Sequence, residues 1–185
     1  MGAKKQPWLS FPAIWPTEAR FITWVRGVLR KGWSNHPVKL EYLNKARRRI
    51  VNTNPKSKKG HPTVWGWVCE QCNQEVPKVE VDHAGDVQGK FTSMDDIQGY
   101  AEHLYLVDFD SLEVCCLPCH KIRSYAQKQG LSFNEAAIEK EVIAIMKQPV
   151  KSILAFCQDY EYDVSTLTNA AKRKQAVQSI LRSVT

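Results

Sequence analysis

No apolar run in this chain approaches the ~18 residues that a membrane-crossing helix needs, so no span is expected. The leading MGAKKQPW has no apolar stretch of the kind a secretory signal carries, and Gln6 breaks the pattern for myristoylation of Gly2. Internal repeats are also missing. Acidic side chains are scarce in the first third, where residues 1 to 63 hold 14 Lys and Arg against two acids. The scarcity is local: residues 64 to 130 hold five basic and eleven acidic side chains, and residues 131 to 185 seven and six. Hydrophobic residues make up 43 % of the chain, enough for a core. The expectation is a soluble α+β protein, mostly helical, of one domain with extensions.

What the chain does have is cysteine in pairs. Cys69-Glu70-Gln71-Cys72 and Cys116-Leu117-Pro118-Cys119 are two CxxC turns separated by residues 73 to 115. Thiolates hold zinc in a tetrahedron, and a CxxC turn presents two sulfurs to one ion. Two pairs supply all four ligands, so the expected site is closed and structural. The alternative is disulfides or ordinary buried thiols. Paired free cysteines without a secretory signal suit a reducing cytoplasm. Cys115 and Cys157 fall outside the pairs, in apolar surroundings, and are expected to be core thiols.

Between the pairs, Val79 to His83 and Leu112 to Cys115 read as two short strands. Cys119 and His120 then open a helix, HKIRSYAQKQG, which Gly130 ends. A hairpin followed by a helix brings Asp82-His83 toward His120 beside the zinc. A carboxylate and an imidazole with open positions suit a catalytic divalent ion, and a second imidazole suits a general base.

The pattern CxxC … VDH … LC-x-x-CH resembles that of zinc-containing HNH endonucleases of the ββα-metal fold, over about residues 64 to 128. The insert GKFTSMDDIQGYAEHLYLVDFDSLEVCCLPCH is similar to that of small HNH proteins of T7-like phages; FITWVRGVLRKGWSNHP and KARRRI resemble their N-terminal helices more loosely. The resemblance implies an HNH core stapled by a four-cysteine zinc site, with helical extensions on both sides. It implies His83 as general base and Asp82 with His120 as ligands of a catalytic Mg²⁺ or Mn²⁺. One position departs from the pattern. The motif's middle Asn would fall at Ser111, which has shorter reach; Asp108 or Asp110 are candidates to stand in for it. The implied activity is phosphodiester hydrolysis in double-stranded DNA, leaving 5′ phosphate and 3′ hydroxyl ends. The alternatives are a non-catalytic DNA- or protein-binding module derived from such a nuclease, and a homing enzyme.

A basic arm beside an acidic core suits such a partner, because the arm attracts the polyanion and the acids recruit cations. By function the chain divides into residues 1 to 63 (DNA binding), 64 to 130 (nuclease core) and 131 to 185 (helical extension). Residues 1 to 16, rich in Pro and Trp, are expected to lie irregularly along the surface with their aromatics as anchors, or to bind a partner. Thr17 is the expected cap of a helix to about Lys31, with Phe21, Ile22, Val25, Val28 and Leu29 on its apolar face. A second helix from Pro37 buries Leu40, Leu43, Ala46 and Ile50. On that helix Arg47, Arg48 and Arg49 fan around the circumference, as first choice for phosphate contacts. Residues 52 to 62 read as a linker whose Lys56, Lys58 and Lys59 track the DNA backbone.

Trp65 and Trp67 sit in a strand-like run, with core packing favoured over base stacking. In the insert, Ser93 caps a helix and His103 falls on its surface side. After Gly130, Ser132 and Glu135 form a capping box for a helix that Gln148-Pro149 ends; a turn or two of helix and a final amphipathic helix follow. The aromatic arm and the final helix are the candidate surfaces for a homodimer or a protein partner.

Overall fold

The computed structural model describes residues 5–54, 56, 59–84 and 91–184. Its class is α+β, helix predominating, with two small sheets. Compactness divides the chain into two units, Met1–Leu117 and Pro118–Thr185. This division rests on packing; the functional division at residues 63 and 130 remains an expectation.

In the first unit, α1 (Pro7–Ser10) is a single turn within the arm expected to be irregular. Its proline occupies the first turn, where a missing N–H costs nothing. The arm's aromatics do anchor it: Trp8 and Trp15 lie 5.7 and 5.3 Å from Phe21, and Trp15 lies 5.3 Å from Trp24. The helix α2 (Glu18–Ser34) starts as expected, with the Thr17 hydroxyl accepting from the Arg20 N–H at 3.3 Å. Ile22, Val25, Leu29 and Trp33 pack with Phe91, Tyr100 and Leu104, whereas Val28 stands 52 % exposed. At Gly32 a Cβ would meet the Tyr105 hydroxyl, so a larger residue there would have to displace that side chain.

The next helix, α3 (Pro37–Ala46), is shorter than its apolar pattern implied. Arg47 is already extended, and β1 (Arg48–Val51) follows at once. Ile50 is buried as expected, but from a strand paired with Val64 of β2 (Thr63–Val68). The β-branched Ile50-Val51 pair suits the antiparallel ladder better than one more helical turn. Gly66 makes room for Ile50, whose side chain occupies the space a Cβ would need. The stretch read as a linker is the loop of this β1–β2 hairpin. Buried Asn52 closes it, its backbone N–H donating to the Pro62 carbonyl (2.9 Å) and its amide to the His61 carbonyl (2.7 Å).

β3 (Glu75–Val76) completes the first sheet, in the order β1-β2-β3. The second sheet pairs β4 (Val79–His83) with β5 (Leu112–Cys116), from Val79 opposite Cys116 to His83 opposite Leu112. Val81, Leu112 and Val114 form its core against Trp33, Leu43 and Trp67. The insert between these strands contains α4 (Ile97–Tyr105). Ser93 and Asp96 form the expected box ahead of it. Hydrogen bonds from the Thr92 and Ser93 backbone bring Asp96 down to about 2.

β5 runs directly into α5 (Leu117–Gln129), so a helix follows the β4–β5 pair, whose strands are themselves separated by α4. The second unit continues with α6 (Phe133–Met146), α7 (Val150–Asp159) and α8 (Ala170–Val184). The Ser132–Glu135 box is formed, with Ser132 N–H to Glu135 Oε2 at 2.9 Å. The region expected to hold a turn or two is the ten-residue α7, which buries Ile153 and Cys157 one turn apart. These two, with Val142, Leu167, Ala176, Val177, Ile180 and Leu181, form an apolar core. Among the described residues no helix is long and apolar enough to cross a membrane.

Candidate functional site

The first CxxC turn follows β2. Cys69 N–H donates to the Gln74 carbonyl (2.9 Å), and Asn73 N–H donates back to the Cys69 carbonyl (2.8 Å). Asn73 sits at φ 57°, a left-handed position that Asn tolerates better than most residues and that reverses the chain tightly. Cys116 ends β5, and Cys119 lies in the first turn of α5. The four sulfurs all lie within 4.8 Å of one another. Cys72 and Cys116 are 3.8 Å apart, and none of the six cysteines forms a disulfide. Ligands 2.3 Å from one tetrahedral ion stand about 3.8 Å apart, so the cluster suits a single metal ion such as zinc. The disulfide alternative fails on the same distance, since a bonded pair stands near 2.05 Å.

Electrostatics favour thiolate at this place. Burial alone would raise the Cys69 thiol. Hydrogen bonds from the Cys116, Cys72 and Gln71 backbones outweigh it and bring the group down to about 6. The Cys116 N–H donates to Cys69 Sγ at 3.2 Å. Glu70 ties the turn to β5: its carboxylate accepts from Val114 N–H (3.2 Å) and from the Tyr42 hydroxyl (2.8 Å). Burial, then that carboxylate, pushes the Tyr42 phenol well above its ordinary range. Outside the cluster Cys115 and Cys157 are buried, as expected, and burial raises the Cys157 thiol.

Asp82 and His83 close the other end of β4. The Asp82 carboxylate accepts from the His83 backbone N–H at 3.0 Å. The His83 imidazole lies between two rings, Trp33 at 4.7 Å and His103 at 4.6 Å. Its Nε2 is buried without a hydrogen-bond partner. Burial, then the neighbouring His103, lowers its pKa from the ordinary imidazole value; the Leu104 backbone and Asp82 oppose that shift. His120 stands in the first turn of α5, half-buried, one residue after Cys119. Asp82 and His83 belong to the first unit and His120 to the second.

His103 corrects the sequence reading, for it is half-buried against His83 and not a surface residue. His36 was missed altogether. Its ring lies 5.3 Å from Trp33 and 5.8 Å from Tyr105, and its Nδ1 is buried without a hydrogen-bond partner. The available signals were weak. His103 flanks the apolar stripe one turn after Tyr100, and His36 precedes a helix-starting proline three residues after Trp33.

Ser111 is fully engaged. Its hydroxyl accepts from Asp108 N–H (3.0 Å) and donates to the Asp108 carbonyl (2.8 Å), while its own N–H donates to Asp108 Oδ1 (3.0 Å). The Ser111 carbonyl accepts from Ala84 N–H at 2.8 Å, extending the β4–β5 pairing by one bond. Ser111 thus shapes the turn into β5, and Asp108 acts through that turn.

The expected arginine helix does not form. Arg47, Arg48 and Arg49 are all exposed, but on extended backbone that alternates faces. Arg47 and Arg49 share one face with Trp65 and Trp67; Arg48 points to the other. Lys56 and Lys59 are exposed in the β1–β2 loop, and Lys58 lies outside the described residues. Comparisons with protein-family models, with characterised proteins and with solved structures find no match.

Proposed function

We propose that the chain is a metal-dependent DNA endonuclease of the HNH kind. The observation that carries this reading is the β4–β5 hairpin: Asp82-His83 stands at one end and Cys116 of the cysteine cluster at the other. The cluster also includes Cys119, the residue before His120.

On this reading zinc is structural. A second divalent ion, Mg²⁺ or Mn²⁺, would be held by Asp82 and His120 and would supply stabilisation of the phosphorane charge and the departing oxygen. One carboxylate and one imidazole leave positions open for water and substrate, which suits a hard divalent ion. His83 Nε2 accepts a proton from water. The resulting hydroxide forms a bond to phosphorus, the P–O3′ bond breaks, and the departing 3′ oxygen takes a proton from solvent to become a hydroxyl. A neutral imidazole is the competent form of the base, and burial favours it. Ser111 supports the loop that carries the end of the hairpin. A single site cuts one strand, so a monomer nicks.

One observation favours a second reading. His83 Nε2 is closed off beneath Trp33 and His103, as in a zinc-stapled module that binds DNA without cutting it. Purified protein incubated with supercoiled plasmid separates the two. The nuclease reading expects nicked circles with 5′ phosphate ends, dependent on Mg²⁺ or Mn²⁺. Asp82→Ala and His120→Ala should lose that activity and partly regain it at raised Mn²⁺. A plasmid left intact at every metal concentration overturns the nuclease reading.

A further inference from the structure

The β1–β2 face carries more than a diffuse basic charge. Alternation along the two strands puts Arg47, Arg49 and Val51 on one side with Thr63, Trp65 and Trp67; Arg49 pairs directly with Trp65. Ile50, Gly66 and Val64 take the opposite side, where Ile50 and Gly66 are buried. The two indoles have different jobs. Trp67 is half-buried against the β4–β5 core and donates its Nε1–H to the Leu43 carbonyl at 2.9 Å. Trp65 is 49 % exposed. The Arg47 guanidinium carbon sits 4.9 Å from the Trp65 ring centre, and that of Arg49 sits at 5.4 Å. Arg49 is fixed further by Thr63, whose hydroxyl accepts from its Nη2 at 2.8 Å and whose carbonyl accepts at 3.1 Å.

We propose that this face binds single-stranded DNA, with an unpaired base stacked on Trp65 and the flanking phosphates held by Arg47 and Arg49. The identification of DNA as the polyanion rests on the nuclease reading; the preference for a single strand rests on the face itself. A duplex buries its base faces within its own stack and offers an indole nothing to lie against. An unpaired base has a free π-face, and stacking on an aromatic side chain tolerates any sequence. Guanidinium forks fit phosphate oxygens and lie flat against aromatic rings, so the same two arginines that lie over Trp65 in the free chain engage the backbone when a base takes their place on the indole. Residues two apart on a strand are about 6.8 Å apart, which lets the two guanidiniums reach successive positions along an extended chain. The surrounding charge agrees, with 14 basic against two acidic side chains in residues 1 to 63.

The test uses the full zinc-containing chain carrying His83→Ala, without added divalent ions, and a fluorescently labelled twelve-nucleotide oligothymidine. Anisotropy is compared with that of a labelled duplex of the same length. The oligothymidine should bind more tightly than the duplex. Adding Trp65→Ala should weaken single-strand binding by roughly tenfold or more, the loss typical of one base–aromatic stack, and leave duplex binding unchanged. Trp65→Phe should retain most of the affinity. Removing Arg47 and Arg49 together should flatten the salt dependence of single-strand binding by about 1.4 in slope. Zinc content and the circular dichroism spectrum, unchanged in each variant, exclude unfolding as the cause. Equal single-strand affinity with and without Trp65 overturns the inference. A protein that cuts DNA but shows no Trp65 effect loses this inference alone. One that binds through Trp65 but cuts nothing loses the nuclease reading alone.

Discussion

The two units are stabilised in different ways. Residues 118 to 185 build an ordinary helical core, in which Val142, Ile153, Val177 and Ala176 are almost wholly buried and the Ser132–Glu135 box caps the start of α6. Residues 1 to 117 divide their apolar side chains among small clusters that share Trp33, around two short sheets and several helices. Such clusters bury little apolar area each, and small folds of this kind need a staple. The cysteine cluster, which could hold a metal ion such as zinc, brings the turn after β2 against the end of β5 and is placed to serve as one. On the proposed reading, the first unit, which carries Asp82, His83 and three of the four cysteines, is the one whose stability depends on a metal.

Tryptophan gives direct access to that difference, because Trp8, Trp15, Trp24, Trp33, Trp65 and Trp67 all lie in the first unit. The largest expected effect is metal removal. A strong chelator, or Cys69→Ser, withdraws a folding contribution of order 10 kcal/mol by analogy with zinc-finger peptides. Tryptophan emission should shift to the red as the first unit opens, while the helical ellipticity contributed by the second unit persists. Loss of both signals together would show that the units do not differ as described.

A smaller effect is expected from the other side. Ile153→Ala leaves a cavity in the helical core and should cost about 2–5 kcal/mol. It should lower the melting of helical ellipticity without altering tryptophan emission or zinc content. Smaller still, Ser132→Ala removes the cap of α6 and should cost about 1 kcal/mol, again visible only in the ellipticity melt. A shift in tryptophan emission from either variant would contradict the separation.

The sequence made some of this legible and hid the rest for physical reasons. Cysteine spacing, the capping pairs at Ser93 and Ser132, and the period-two runs at β4 and β5 are local signals, and all appear in the structure. Arg47 to Ile50 misled because an apolar residue at helical spacing from Leu43 and Ala46 is equally well buried from a strand. The pairing partner that decides between these lies more than a dozen residues away, across a loop whose composition reads as a linker. His103 was hidden for the same reason, since it meets His83 only through tertiary packing. His36 meets Trp33 locally, three residues on, but neither histidine has a motif of its own. Trp65 and Trp67 share a strand face, and only the environment separates a packed indole from an open one.

The central claim concerns His83, and relaxation of supercoiled plasmid by the parent and by His83→Ala at saturating Mg²⁺ or Mn²⁺ tests it most directly. The account predicts nicked circles from the parent and a rate lower by ~10²–10⁴-fold in the variant, with DNA affinity retained and no rescue by added Mn²⁺. A variant that cuts as fast as the parent would contradict the account, since the hydrolysis would then belong to other residues.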